Sequence, residues 1–508
     1  MGDPFEYDRF DALGLAELVS TKQVTSAELV DEAIARVERV NPKLNALICD
    51  RFEQARAEAR GALPDGPFAG VPFVVKDLGP ALAGVPMTSG SRYFKDYVPA
   101  ADDEYIVRAK RAGFVIFGKT STPEFGIAPV TEPRLFGPCR NPWNLDVTPG
   151  GSSGGSGALV AAGVVPLAHG NDMGGSIRIP ASCCGVFGIK PSRGRTPTVG
   201  GVIGDPNADL GLSRTVRDSA ALLDAVRTTR GLLYDAPPFD GTYLNEVGRD
   251  PGALRIAIVD DAMLGTEIHP ECRAAVARTA ALCERLGHRV EIASPAGIDY
   301  RAISLAILLI FAANVGWKMH AANPLPDKKL RAGDLEPGTW GMLVISELLS
   351  ADELATAVQR QRELAATLDA FLSRFDVMLM PTVAAPPVHI GALALKRSEE
   401  LQLEVLARLR AKSLIRTAAG EIAKTLFDWL PYTPIFNLTG QPAMSVPLHW
   451  TPDGLPVGVQ FAARLGDDAT LFRLAAQLEA AQPWNARRPP VWSGLATAGR
   501  DASTIQSP

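Results

Sequence analysis

The sequence predicts an α/β fold in which a sheet lies between layers of helices. Three observations predict it. Short apolar runs alternate with helical patterns along most of the chain. Apolar residues make up 46% of the 508 residues and charged residues 21%, enough to bury a large core without disulfides. No repeat of fixed period breaks the pattern.

An amphipathic helix opens the chain. TSAE at 25–28 is a capping box, in which Thr25 caps the helix and Glu28 bonds back. Leu29, Ala33, Ile34, Val37 and Val40 follow with helical spacing, and NPKLNA at 41–46 ends the run. FAGVPFVVKDL at 68–78 reads as a buried strand after a Gly-Val-Pro turn. Residues 102–117 read as a helix and then a strand, with Gly113 as C-cap. A helix of small residues runs into an apolar strand over 156–169. LRIAIVDD at 254–261 is a further strand, and a helix from about 270 to 286 stops at Gly287 before VEI at 290–292. Residues 295–375 are largely helical, DVMLMPTV at 376–383 returns to strand, and a charged helix follows over about 396–411. The block 436–463 reads as a hairpin turning at PDG, 452–454.

Composition narrows the function. The net charge is −5 and the pI about 5.8, with no basic stripe, so no nucleic-acid partner is expected. The N-terminus is acidic and lacks a signal core. The longest apolar run, LAILLIFAA at 305–313, reads as a buried helix or pocket wall, so no membrane partner is expected. Cys49, Cys139, Cys183, Cys184, Cys272 and Cys283 form no CxxC pair and read as reduced, mostly buried thiols of a cytoplasmic protein. The six histidines are scattered without ligand spacing, so neither a metal nor another cofactor is expected.

The unusual stretch is TPGGSSGGSGALVAAGVVPLAHGNDMGGSIRIPASCCGVFGIKPSRGR, 148–195. A flexible linker would not run straight into an apolar helix and strand and then a second Gly-Gly-Ser. Dense glycine between regular elements means close backbone approach or positive φ. No lysine follows the glycines as a phosphate loop requires, and the dinucleotide spacing is absent. Ser176 sits in Gly174-Gly175-Ser176-Ile177-Arg178, which is not the G-x-S-x-G elbow.

These motifs strongly resemble the amidase signature family. GVPFVVKD at 70–77 matches the family's lysine strand, and Ser152 and Ser176 have the family's serine spacing. The resemblance runs from the ELV helix at 28–30 to QLEAAQPW at 477–484. It implies one domain over 1–491, built on a central mixed, twisted sheet covered on both faces by helices. The motif-bearing core would span about 65–200, a variable helical pocket region about 296–435, and a tail 492–508.

The resemblance also implies the chemistry. Ser176 would be the nucleophile, Ser152 the bridging residue on a cis peptide, and Lys76 the base that starts the relay. The apolar VPFVV before Lys76 suits a desolvated, neutral amine. Backbone N–H groups near Met173, Gly174, Gly175 and Ser176 would hold the oxyanion. Ser153, Asp172 and Arg178 are expected to support the loop, with His169 a satisfied buried histidine. Trp317, Phe427, Trp429, Tyr432 and Phe436 are candidates for an apolar substrate pocket. The expected substrate is a small carboxamide, with water as co-substrate. Within the family, TEPRLFGPCRNPWNL, AHGNDMGGSIRIPAS and FNLTGQPAMSVPL look similar to bacterial enzymes that open the 6-aminohexanoate cyclic dimer. Aryl amides, carbamates and esters present the same attacked carbonyl and stay open as alternatives. A noncatalytic scaffold would have lost one of Lys76, Ser152 and Ser176, and all are present. A homodimer is expected as the commonest assembly.

Overall fold

The computed structural model describes residues 6–198, 201–202, 204–228, 234–265, 267–331, 333–401, 405 and 427–494. Most of the charged helix expected over 396–411, and the tail beyond 494, lie outside these residues.

The strands are β1 (Leu47–Asp50), β2 (Pro72–Lys76), β3 (Val115–Thr120), β4 (Leu167–Asp172), β5 (Phe187–Lys190), β6 (Ala208–Ser213), β7 (Arg255–Ile258), β8 (Arg289–Ile292), β9 (Val377–Pro381), β10 (Ala443–Trp450) and β11 (Pro456–Ala463). Eight form a mixed sheet in the order β4-β6-β5-β10-β11-β9-β7-β8, parallel only in the β9-β7-β8 part. A smaller sheet, β1-β3-β2, has β2 parallel to β3 and β1 antiparallel to it. The Lys76 N–H at the end of β2 donates to Nδ1 of His169 on β4, 3.2 Å away, and ties the smaller sheet to the larger.

Local chemistry places the elements. Thr25 Oγ1 accepts from the Glu28 N–H while the Glu28 carboxylate accepts from the Thr25 N–H, which completes the capping box of helix Ser26–Leu44. That helix runs through Pro42 to a left-handed Asn45, so its end comes inside NPKLNA. β2 is wholly buried, consistent with its unbroken apolar run and its place beside a parallel neighbour. Gly113 follows helix Glu104–Arg111 at φ +94°, a conformation suited to glycine. β10 and β11 form the expected antiparallel hairpin, closed by the Thr451 N–H on the Leu455 carbonyl with Gly454 at φ +81°.

The hairpin begins later than the sequence pattern suggests, because Thr433–Thr439 is a fully buried helix. The pattern also passed over β1, the helix Phe52–Arg60, β5 and β6. Helix Tyr300–Met319 is long and apolar enough to cross a membrane by length and composition. In the fold, Ile303, Ile307 and Ile310 enter the main core, and the helix packs against helices Pro337–Leu348 and Ala351–Leu372. This is the buried helix expected from LAILLIFAA.

Candidate active site

β2, the glycine-rich loop before helix Gly154–Ala161, and the turn after β4 bring Lys76, Ser152 and Ser176 into one region. Lys76 is the last residue of β2 and has no solvent exposure. Its Nζ lies 2.6 Å from Ser152 Oγ and 2.6 Å from Asn171 Oδ1. Burial pushes the Lys76 ammonium down to about 7, against the opposing pull of the Asp209 and Asp172 carboxylates. The Gly151–Ser152 peptide is cis, as the sequence resemblance implies. The Ser153 N–H donates to the Ser176 carbonyl, 3.3 Å, which holds the two serine loops together. Ser153 Oγ donates to the Asn171 carbonyl.

Asn171 was not singled out as a site residue from the sequence. Its Nδ2 donates to the Leu78 carbonyl, which turns Oδ1 toward Lys76. A polar residue inside a strand carries no sequence signal for such a contact. Close approach explains the glycines. A Cβ on Gly155 would lie 2.6 Å from both the Ala46 carbonyl oxygen and the Ser121 nitrogen.

Asp172 and Arg178 lie at the base of the loop that carries Ser176, and both are wholly buried. Arg178 donates to Asp172 through Nε and Nη2, each at 2.9 Å, and through Nη1 to Gln460 Oε1. Burial alone would raise the Asp172 carboxyl. The Arg178 charge and hydrogen bonds, with Asn437 Nδ2, override it and hold the group well below the usual carboxylate range. The same carboxylate accepts from the N–H groups of Gly175, 2.7 Å, and Ile177, 3.2 Å.

This bears on the expected oxyanion hole. The Gly175 N–H, one of the expected donors, is bonded to Asp172 Oδ1 at 2.7 Å. Gly175 also serves by shape. Its φ is +123°, and a Cβ there would meet Thr433 Oγ1 at 2.4 Å. The N–H groups of Met173, Gly174 and Ser176 make no hydrogen bond among the described residues. The Ser176 hydroxyl makes none either, and Ser176 is more exposed than Lys76 or Ser152, at 8% against 0% and 2%.

His169 Nδ1 accepts from the Lys76 N–H, and Nε2 faces Asp209 Oδ1 at 3.3 Å, so the ring is a neutral linker between β2, β4 and β6. Burial lowers its pKa, in keeping with that state. Burial raises the Cys183 and Cys184 thiols far above their ordinary values, which leaves them as packing groups.

The aromatic candidates fare differently. Tyr432 and Phe436 have no exposure and, with Phe427, belong to the main core. Trp429 packs with Val130, Ile179 and Cys183 behind the loop. All four are buried, and most of their apolar surface packs against these clusters. Trp317 alone is half-buried. The aromatic ring that does border the loop is Phe311, whose Cζ would lie 3.1 Å from a Cβ on Gly174.

The sequence profile described as Amidase matches residues 28–472. The chain belongs to the amidase family. This amidase is 39% identical over 490 residues to a 6-aminohexanoate-cyclic-dimer hydrolase of a Pseudomonas species, with 94% of this chain and 96% of that protein covered. A solved 6-aminohexanoate cyclic dimer hydrolase superposes with a TM-score of 0.86 at 36% identity, over 96% of this chain and all of the other. A bacterial aryl acylamidase of the amidase signature enzymes superposes at 0.81 with 26% identity, over 94% of the amidase and 96% of that chain. The amidase is thus an amide-hydrolysing enzyme on the mixed, helix-flanked sheet of its family.

Proposed function

We propose that this amidase cleaves the C–N bond of a small carboxamide through an acyl-enzyme on Ser176. The observation that carries the reading is the Lys76 amine, wholly buried, 2.6 Å from Ser152 Oγ, with a pKa near neutrality. A neutral amine at that distance accepts the Ser152 proton while donating an N–H to Asn171 Oδ1. Ser152 in turn takes the proton of Ser176, whose oxygen bonds to the carbonyl carbon. The N–H groups of Met173, Gly174 and Ser176 receive the oxyanion. When the intermediate collapses, the C–N bond breaks and the leaving nitrogen takes its proton from Ser152, which recovers one from Lys76. Water then attacks the ester by the same relay, giving the free acid and regenerating Ser176.

The likeness to cyclic-dimer hydrolases supports trying cyclic amides first, and the aryl acylamidase supports anilides next. Carbamates and p-nitrophenyl esters belong in the same panel because the attacked carbonyl is shared. Product release by mass spectrometry across this panel, with Ser176→Ala as control, tests the reading. The variant should lose at least about 10³-fold in turnover and keep the wild-type circular dichroism spectrum. Turnover near the wild-type rate in that variant would overturn the assignment.

A further inference from the structure

Helix Tyr300–Met319 runs past the nucleophile loop. Phe311 meets Gly174, and Lys318 stands seven residues on, so it shares that face about 10 Å further along the helix. Lys318 Nζ donates to Ser89 Oγ at 2.8 Å and lies 4.9 Å from the Phe125 ring centroid and 5.8 Å from that of Phe94. Phe125 is fastened in place by its N–H on the Ser89 carbonyl, 2.8 Å. The next residue, Gly126, touches the relay, since a Cβ on it would lie 3.0 Å from Ser152 Oγ.

The charges around Lys318 do not balance. The ions that act on it are Asp77 and Lys119. Asp77 is already committed to Lys119, 2.8 Å away, and to the N–H and hydroxyl of Thr88. Among the described residues no carboxylate lies within 4.0 Å of the Lys318 ammonium, while two ammonium groups share one carboxylate. Burial lowers Lys318 to about 8, yet the side chain is only half-buried. Two aromatic faces and one hydroxyl therefore hold a partly desolvated cation that meets no counter-ion.

We propose that Lys318 is a specificity-determining residue of this amidase, receiving a carboxylate carried on the substrate while the scissile carbonyl lies at Ser176. The proposal rests on the hydrolase reading above and deepens it. The spacing along the helix, with Phe311 at its Gly174 end and Phe125 at its Lys318 end, fits an amide joined to its carboxylate by an apolar chain of several carbons. An uncharged cyclic amide leaves the ammonium unanswered.

Two matched pairs test it from either side of the amide. Suberic acid monoanilide and octananilide differ by a carboxylate on the acyl side. N-acetyl-6-aminohexanoate and N-hexylacetamide differ by one on the amine side. Binding of all four is measured by calorimetry in the Ser176→Ala background, alone and with Lys318→Met or Lys318→Arg, and kcat and KM are measured in the Ser176 enzyme. In at least one pair the carboxylate compound should bind tighter by about 10-fold or more. Lys318→Met should erase that preference through KM, leave the methyl compound unchanged, and be partly rescued by Lys318→Arg. No preference in either pair, or equal weakening of both members by Lys318→Met, overturns the proposal. Binding preference without turnover by the Ser176 enzyme would instead count against the hydrolase reading alone.

Discussion

The base in this site should be visible in a pH profile, and one charge should move it. An ordinary lysine, at 10.5, is neutral to only about 0.03% at pH 7, whereas Lys76, at about 7, is half neutral. Burial therefore supplies roughly a thousand times more base. Below neutrality the amine is protonated and cannot accept from Ser152, so kcat/KM should fall about tenfold per pH unit on the acid side. Asp209 opposes the burial effect by favouring the ammonium. Asp209→Asn removes that negative charge, makes the ammonium less favourable still, and should shift the acid limb to lower pH. Acting through an effective dielectric of about 20, the charge is worth roughly 1.5–2 kcal/mol, or a little over one pH unit. The substitution is close to isosteric, and its carbonyl can still accept from His169 Nε2. The assay is kcat/KM from pH 5 to 9 on whichever anilide the panel selects. A profile flat through neutrality would refute Lys76 as the base. A limb that moves toward alkaline pH in Asp209→Asn would refute the electrostatic account of its tuning.

Two further substitutions test the scaffold beneath the chemistry. Asp172→Asn leaves the Arg178 guanidinium wholly buried without a counter-ion and should cost about 3–5 kcal/mol, read as a lower denaturant midpoint together with lost turnover. Gly155→Ala drives a Cβ to 2.6 Å from backbone atoms of both Ala46 and Ser121, which cannot swing aside as a side chain would. It should lower the midpoint by an overpacking cost of about 1–3 kcal/mol, and an unchanged midpoint would refute the close-approach explanation of the glycine-rich loop.

The parts of the site legible in the sequence are those whose local chemistry is unusual. A lysine closing the apolar run VPFVV can hardly be a surface charge, and β2 buries it completely. Glycines packed between regular elements announce close approach, and the contacts around Gly155 bear this out. Other parts depend on neighbours distant in sequence. Phe311 reaches Gly174 across more than a hundred residues, and LAILLIFAA, which reads as a buried helix or pocket wall, does not say which loop it meets. The five proposed pocket aromatics show a different gap. Composition says that aromatics bury surface but not which surface: Phe427, Tyr432 and Phe436 join the main core, and Trp429 packs with Ile179 and Cys183. β5 and β6 escaped because FGIK and ADLGLS are short and carry an internal glycine, which weakens any strand pattern.

The Gly-Gly-Ser turn also shows why counting glycines overstates an oxyanion hole. Four successive residues offer four N–H groups, but a loop free to present all of them would have nothing to hold its shape. Asp172 resolves this by taking one. Its carboxylate binds the Gly175 N–H on one oxygen and the Ile177 N–H on the other, while Arg178 clamps both oxygens from the far side. The loop is thereby fixed before substrate arrives. In the proposed mechanism the donors at Met173, Gly174 and Ser176 would then need no reorganisation when charge develops, which is the condition under which such donors contribute most to rate. In that mechanism the wholly buried Asp172–Arg178 pair would act on the reaction without touching it, with the Gly175 N–H bonded to Asp172 to stiffen the other three donors.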